Sequence, residues 1–95
     1  LGLFSIAEDE NKVEIYKDEI KNINILLKEN EDLIHLFSSY FINQIEKEKC
    51  IDKIFGEFQI YTQNFLKLII KNNRINKFNL ISKKLIFLFI YIFLL

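Results

Sequence analysis

One histidine, one cysteine and a short run of carboxylates are the residues of this chain whose types could do chemistry. His35 sits between Ile34 and Leu36, with no second histidine and no nearby cysteine in sequence. An imidazole needs partners to act as a base or a metal ligand, so His35 reads as an ordinary helix residue. Cys50 is alone, which excludes an internal disulfide and a thiolate metal site. Beside Ile51 in an apolar pattern, it reads as a small core residue. Glu8, Asp9 and Glu10 precede a helix. Acid–base work needs environments that drive two pKa values apart, and capping and solvation account for this trio better. With glycine only at positions 2 and 56, no phosphate-binding loop can be written. No nucleophile has a base at a useful spacing. The expectation is a non-catalytic protein without metal or cofactor.

Charge narrows the partners. The formal net charge is zero, whereas a nucleic-acid-binding domain carries a basic excess. No nucleic-acid partner is therefore expected. The distribution is uneven: residues 1–32 hold nine acids against four lysines, and residues 33–95 hold nine basic residues against four acids. From Lys67 to Lys84 there are six basic residues and no acid. Solvated helix faces account for such a run.

The elements follow from apolar spacing. Ninety-five residues allow one domain, and an apolar fraction of 51 % argues against disorder. Proline is absent, which favours long regular elements. Val13, Tyr16, Ile20, Ile23 and Leu27 recur in three- and four-residue steps, one stripe of an amphipathic helix. Asn11 with Glu14 has the spacing of an N-terminal cap, and Lys28 suits the helix C-terminus. A second helix starts after Asn30, with Leu33, Leu36, Phe37 and Tyr40 as its apolar face. A third repeats the cap as Asn43 with Glu46 and turns Ile45, Ile51, Ile54, Phe55 and Phe58 inward. Gly56 is its expected stop, because glycine tolerates the left-handed conformation there. A fourth runs from about Gln59 to Asn73, bringing Tyr61, Phe65, Leu68 and Ile69 together, and Asn72-Asn73 ends it.

The last segment starts near Ile75, with Phe78 and Ile81 in helical spacing. At the other end, Leu3, Phe4 and Ala7 read as the tail of a helix whose start lies upstream. Isoleucine and phenylalanine favour strands, but the period over residues 11–73 is near 3.6 and the caps agree with it. Six helical segments with short connections predict an all-α, compact six-helix bundle. Its last helix is extended by an apolar tail, giving a division into residues 1–82 and 83–95. Leu85–Leu95 is a run of eleven apolar residues after Lys83-Lys84, shorter than the roughly 17–25 of a membrane span. It reads as the start of an anchor, an interfacial helix, a tail folded onto the bundle, or a truncated or frame-shifted extension.

Four strings line up in order: Gly-Leu-Phe-Ser-Ile-Ala at 2–7, Leu-Leu-Lys-Glu-Asn at 26–30, Ile-Asp-Lys-Ile-Phe-Gly at 51–56, and Asn-Phe-Leu-Lys-Leu-Ile-Ile-Lys-Asn-Asn-Arg at 64–74. Together they resemble the N-terminal domain of the F-type ATP synthase δ subunit, called OSCP in mitochondria, over about residues 2–82. The resemblance implies a six-helix bundle and a non-catalytic stator role in the peripheral stalk, supporting ATP synthesis by proton-driven rotation. It implies a groove between the first and fifth helices that holds the N-terminal helix of an α subunit. It also implies peripheral attachment, through the complex, to the cytoplasmic face of the bacterial plasma membrane, or to an organellar inner membrane or thylakoid.

Carried over on matching positions, the partner-binding residues are Gly2, Leu3 and Ile6 in the first helix. Asn64, Phe65, Leu68 and Asn72 are those in the fifth. The plain alternative for Leu3, Phe65 and Leu68 is core. Arg74 is expected to fix the turn into the last helix. Two departures stand out. The family's usual aromatic residue before Gly2 lies outside this chain, and after Ser82 an apolar tail replaces a mixed polar helix and a second domain. Binding of the b-subunit stalk, which uses that second domain, is therefore in doubt. The competing reading is a small helical tail-anchored or membrane-surface protein using residues 83–95, whose preceding lysines would meet anionic headgroups.

Overall fold

The computed structural model describes residues 12–94. Among these residues the chain forms five α-helices and one short 3-10 turn, with no strand. Helix α1 spans Val13–Glu29, α2 Glu31–Ser38, α3 Gln44–Ile54 and α4 Ile60–Lys71. The 3-10 turn Ile75–Lys77 leads directly into α5, Phe78–Leu94. The first of the six predicted segments, around Leu3–Ala7, lies outside the described residues. The other five are helices at their predicted places.

Helix α1 forms where its stripe demands. Tyr16, Ile20, Ile23 and Leu27 are all buried, and Val13 packs partly against them. Fully burying each such side chain contributes about 1.5–3 kcal/mol, so this one face anchors the bundle. Lys12, rather than the predicted Asn11, occupies the N-cap position, and its own side chain makes no capping hydrogen bond. Asn11 itself lies outside the described residues. Glu14 lies in the first turn and pairs with Lys17 at 3.3 Å.

The core draws one to three residues from every later element. Phe37 comes from α2, Ile51 and Phe55 from α3 and its end, and Leu66, Ile69 and Ile70 from α4. Ile75, Phe78 and Leu85 close it from the last segment. Helix α1 packs along α5, and α3 packs along α4. Three predicted inward residues face out instead. Tyr40 is 91 % exposed because α2 stops at Ser38, two residues before it. Ile45 and Ile54 are also exposed. Only Ile51 within α3 is fully buried, because a helix packed mainly on one neighbour has a narrow inner face.

The ends of the helices explain their lengths. Asn43 caps α3 as predicted, its side-chain oxygen accepting from the Glu46 backbone N–H at 2.8 Å. Gly56 follows the end of α3, but not for the predicted reason, since its φ is not positive. A side chain at this position would run into the Asp52 carbonyl oxygen, so close approach is what requires glycine. Helix α4 ends at Asn72-Asn73 as predicted. Asn73 has φ 55°, the left-handed region, and donates its N–H to Ile70 O at 2.9 Å, while Arg74 N–H reaches Ile69 O at 3.0 Å. This pair of bonds is a Schellman closure, with asparagine standing where glycine is commonest.

Helix α4 starts with no cap from its own N-cap residue, Gln59. The missing acceptor comes from α1. The Glu19 carboxylate accepts from the Gln59 backbone N–H at 2.9 Å and from the buried Thr62 hydroxyl at 2.6 Å. A carboxylate at this end also meets the positive end of the helix dipole. On the α3 side, Lys67 pairs with Asp52 at 2.8 Å, and Gln44 donates to the Lys67 carbonyl at 3.3 Å.

Helix α5 runs without a break through Ser82 and Lys83 to Leu94. Its 17 residues make it about 26 Å long. Leu85 is fully buried and Ile86 packs against the core, so the beginning of the apolar run is folded onto the bundle. Among the described residues, no helix is long and apolar enough to cross a membrane.

Candidate functional site

Helix α4 carries more apolar surface than the core can take. Thr62, Leu66, Ile69 and Ile70 point inward. On the adjoining arc Phe65 is half-buried and Leu68 is 55 % exposed. Asn72 continues this arc one turn further and is exposed. Residues 65, 68, 69 and 72 stand at i, i+3, i+4 and i+7, the spacing of one helix face.

The facing wall comes from α5. Ile81, Lys84, Leu85 and Leu88 repeat the same four-residue spacing there, and Arg74 sits at the closed end where the chain turns from α4 into α5. These nine residues line an open groove of about 470 Å³. Its lining is mainly apolar, with Asn72, Arg74 and Lys84 as its polar members. Lys84 and Arg74 are exposed and form no ion pair among the described residues.

Three of the four positions expected on this helix thus meet in one groove: Phe65, Leu68 and Asn72. Asn64 is exposed and is not part of the lining. Gly2, Leu3 and Ile6 lie outside the described residues. The α5 wall was not among the residues expected at the site. Its signal was present in the sequence, as the spacing of Ile81, Leu85 and Leu88 around Lys84. The loss of polar residues beyond Lys84 hides that spacing. The Arg74 backbone N–H takes part in closing the turn, a bond that does not depend on the arginine side chain, which lines the groove instead.

The remaining chemistry-bearing residues stand apart from this groove. His35 is an exposed residue of α2, with its ring 3.9 Å from Glu31 one turn earlier. Cys50 is half-buried in α3 against the core. Among the described residues no three His, Cys, Asp or Glu side chains are grouped to hold a metal ion. A second, smaller hollow of about 220 Å³ lies on α1, α2 and the start of α5, between Asn24, Lys28, Ile34 and Asn79. The Asn24 amide there donates to the Asn79 side-chain oxygen at 3.2 Å, tying α1 to α5.

Fold and groove together define a class: a small helical bundle carrying an open, largely apolar groove between two helices. Comparison with known proteins makes the class particular. The family model described as "ATP synthase delta (OSCP) subunit" matches residues 2–89. The ATP synthase subunit delta of Mycoplasma mobile is 47 % identical over 74 residues, covering 77 % of this chain and 41 % of the relative. Those of Mycoplasmoides gallisepticum and Lactobacillus gasseri are 34 % and 30 % identical, each covering more than four-fifths of this chain. The chain belongs to the ATP synthase delta (OSCP) family. It spans less than half the length of these relatives. No solved structure matches it.

Proposed function

We propose that this chain is a non-catalytic peripheral-stalk module of an F-type ATP synthase, attached to the membrane only through the complex. The groove between α4 and α5 takes the N-terminal helix of an α subunit, in place of the expected groove between the first and fifth helices, whose first-helix wall lies outside the described residues. The observation that carries the reading is the meeting of Phe65, Leu68 and Asn72 on one open groove within the span matched by the family model. Phe65, packed in part against the core, and the exposed Leu68 present apolar surface along this groove, which suits the apolar face of an amphipathic helix laid into it. A stator must hold the catalytic head against torque, and a rigid bundle gripping one helix does this without a cofactor. The domain boundary at Ser82, with residues 83–95 as a distinct tail, gives way in this reading to a last helix that serves as groove wall.

Isothermal titration of the chain with a synthetic α-subunit N-terminal helix tests the proposal. Saturable binding is expected, and Leu68→Asp should weaken it at least tenfold, a change of about 1.4 kcal/mol, while leaving the circular dichroism spectrum and melting temperature nearly unchanged. Absence of binding by the folded chain would contradict the reading. Unfolding of Leu68→Asp would show instead that Leu68 belongs to the core.

A further inference from the structure

We infer that the groove selects an amphipathic helix whose apolar face is bordered by carboxylates; this rests on the partner-helix reading and adds the partner's chemistry. The two walls are matched ladders. Phe65 and Leu68 rise along α4, and Ile81 and Leu88 rise along α5, so a third helix laid between them would bury apolar residues against both. The polar groups are of one sign. Lys84 interrupts the α5 ladder, Arg74 marks the closed end, and no carboxylate among the described residues lines the groove. The surroundings reinforce this, since six basic residues and no acid fall between positions 67 and 84. Among them, Lys67 is neutralised by Asp52 on α3, while Arg74 and Lys84 form no ion pair among the described residues.

A cleft with apolar walls and cations that form no ion pair among the described residues attracts anions and speeds their encounter. A neutral helix with the same apolar face would gain the burial but not the attraction. A lysine-bordered helix would meet like charge at both Arg74 and Lys84. Guanidinium and ammonium play different parts here: Arg74 can grip one carboxylate with two parallel N–H donors, whereas Lys84 acts as a point charge on a flexible stem.

The test uses three synthetic amphipathic helices of one apolar face, with border positions all Glu, all Gln or all Lys, titrated against the full chain at low and high salt. The Glu-bordered peptide should bind about 3–10-fold more tightly than the Gln-bordered one at low salt, the range expected for one or two exposed ion pairs. Most of that advantage should vanish near 0.5 M salt, where exposed charges are screened within about 5 Å. Lys84→Glu should reverse the order of the Glu and Lys peptides. Equal affinity of all three would overturn the charge selection while leaving the groove reading intact. Failure of all three to bind the folded chain would overturn both. Binding indifferent to Leu68→Asp would place the peptide elsewhere and overturn the inference. So would a dimer that Leu68→Asp dissociates and the peptides do not, because the occupant would then be a second copy of the chain.

Discussion

Helices α1 and α4 share the same periodicity and use it differently. On α1 the apolar stripe of Tyr16, Ile20, Ile23 and Leu27 disappears entirely into the core. On α4 the apolar arc is wider than the core it faces. Leu66, Ile69 and Ile70 go inside, and Phe65 and Leu68 remain on an open groove. The difference is one of arrangement: α1 also leaves Ile15 and Ile25 exposed, whereas Phe65 and Leu68 share a groove with a facing apolar wall on α5. In the proposed reading the buried stripe carries stability, and the apolar residues gathered on the groove carry binding.

The sharpest way to break this comparison is to cut both faces of the same helix. Leu66→Ala, at 1 % exposure, should destabilise the chain by about 2–5 kcal/mol in urea unfolding, the cost of a cavity in a packed core. Leu68→Ala, two residues on, should change stability by no more than about 0.5 kcal/mol, as expected of a surface substitution. Similar losses at both positions would erase the distinction between the faces.

A smaller effect tests how the two helices are joined. Glu19→Ala removes the acceptor that α1 lends to the start of α4, leaving the Gln59 N–H and the buried Thr62 hydroxyl without it. The expected loss is about 1–3 kcal/mol. Amide exchange should accelerate most in the first turn of α4, while the middle of α1 stays protected. An unchanged exchange pattern would mean that water replaces the carboxylate at no cost.

The smallest effect probes the turn that closes the groove. Asn73→Val should cost about 1–2 kcal/mol, because a β-branched residue resists the left-handed conformation, whereas Asn73→Gly should be neutral or stabilising. Equal stability of the two variants would show that the positive φ at position 73 is not needed to end α4.

Much of this architecture was legible in the sequence, and the illegible parts share a cause. The α1 stripe, the Asn43 cap and the Asn72-Asn73 stop are local, so spacing alone locates them. Tyr40 lies exposed because α2 ends before it, and Ile45 and Ile54 lie exposed because periodicity defines an apolar face but not how much neighbour will cover it. Glu19 gave no sign of its role, since its partners stand 40 and 43 residues away. Gly56 was located correctly for the wrong reason: a turn conformation was expected, and a carbonyl approach requires it. At the groove, Phe65, Leu68 and Asn72 were named from resemblance. The opposite wall on α5 straddles the boundary expected between residues 1–82 and the tail 83–95, and the loss of polar residues beyond Lys84 hides its spacing.

The most direct test of the central claim is chemical-shift mapping of the labelled chain as an α-subunit N-terminal helix is added. Perturbations should cluster at Phe65, Leu68, Asn72, Ile81 and Leu88, with Asn24, Ile34 and Asn79 around the smaller hollow unaffected. Shifts confined to that hollow, or to the fully packed α1 stripe, would contradict the assignment of the α4–α5 groove as the binding face.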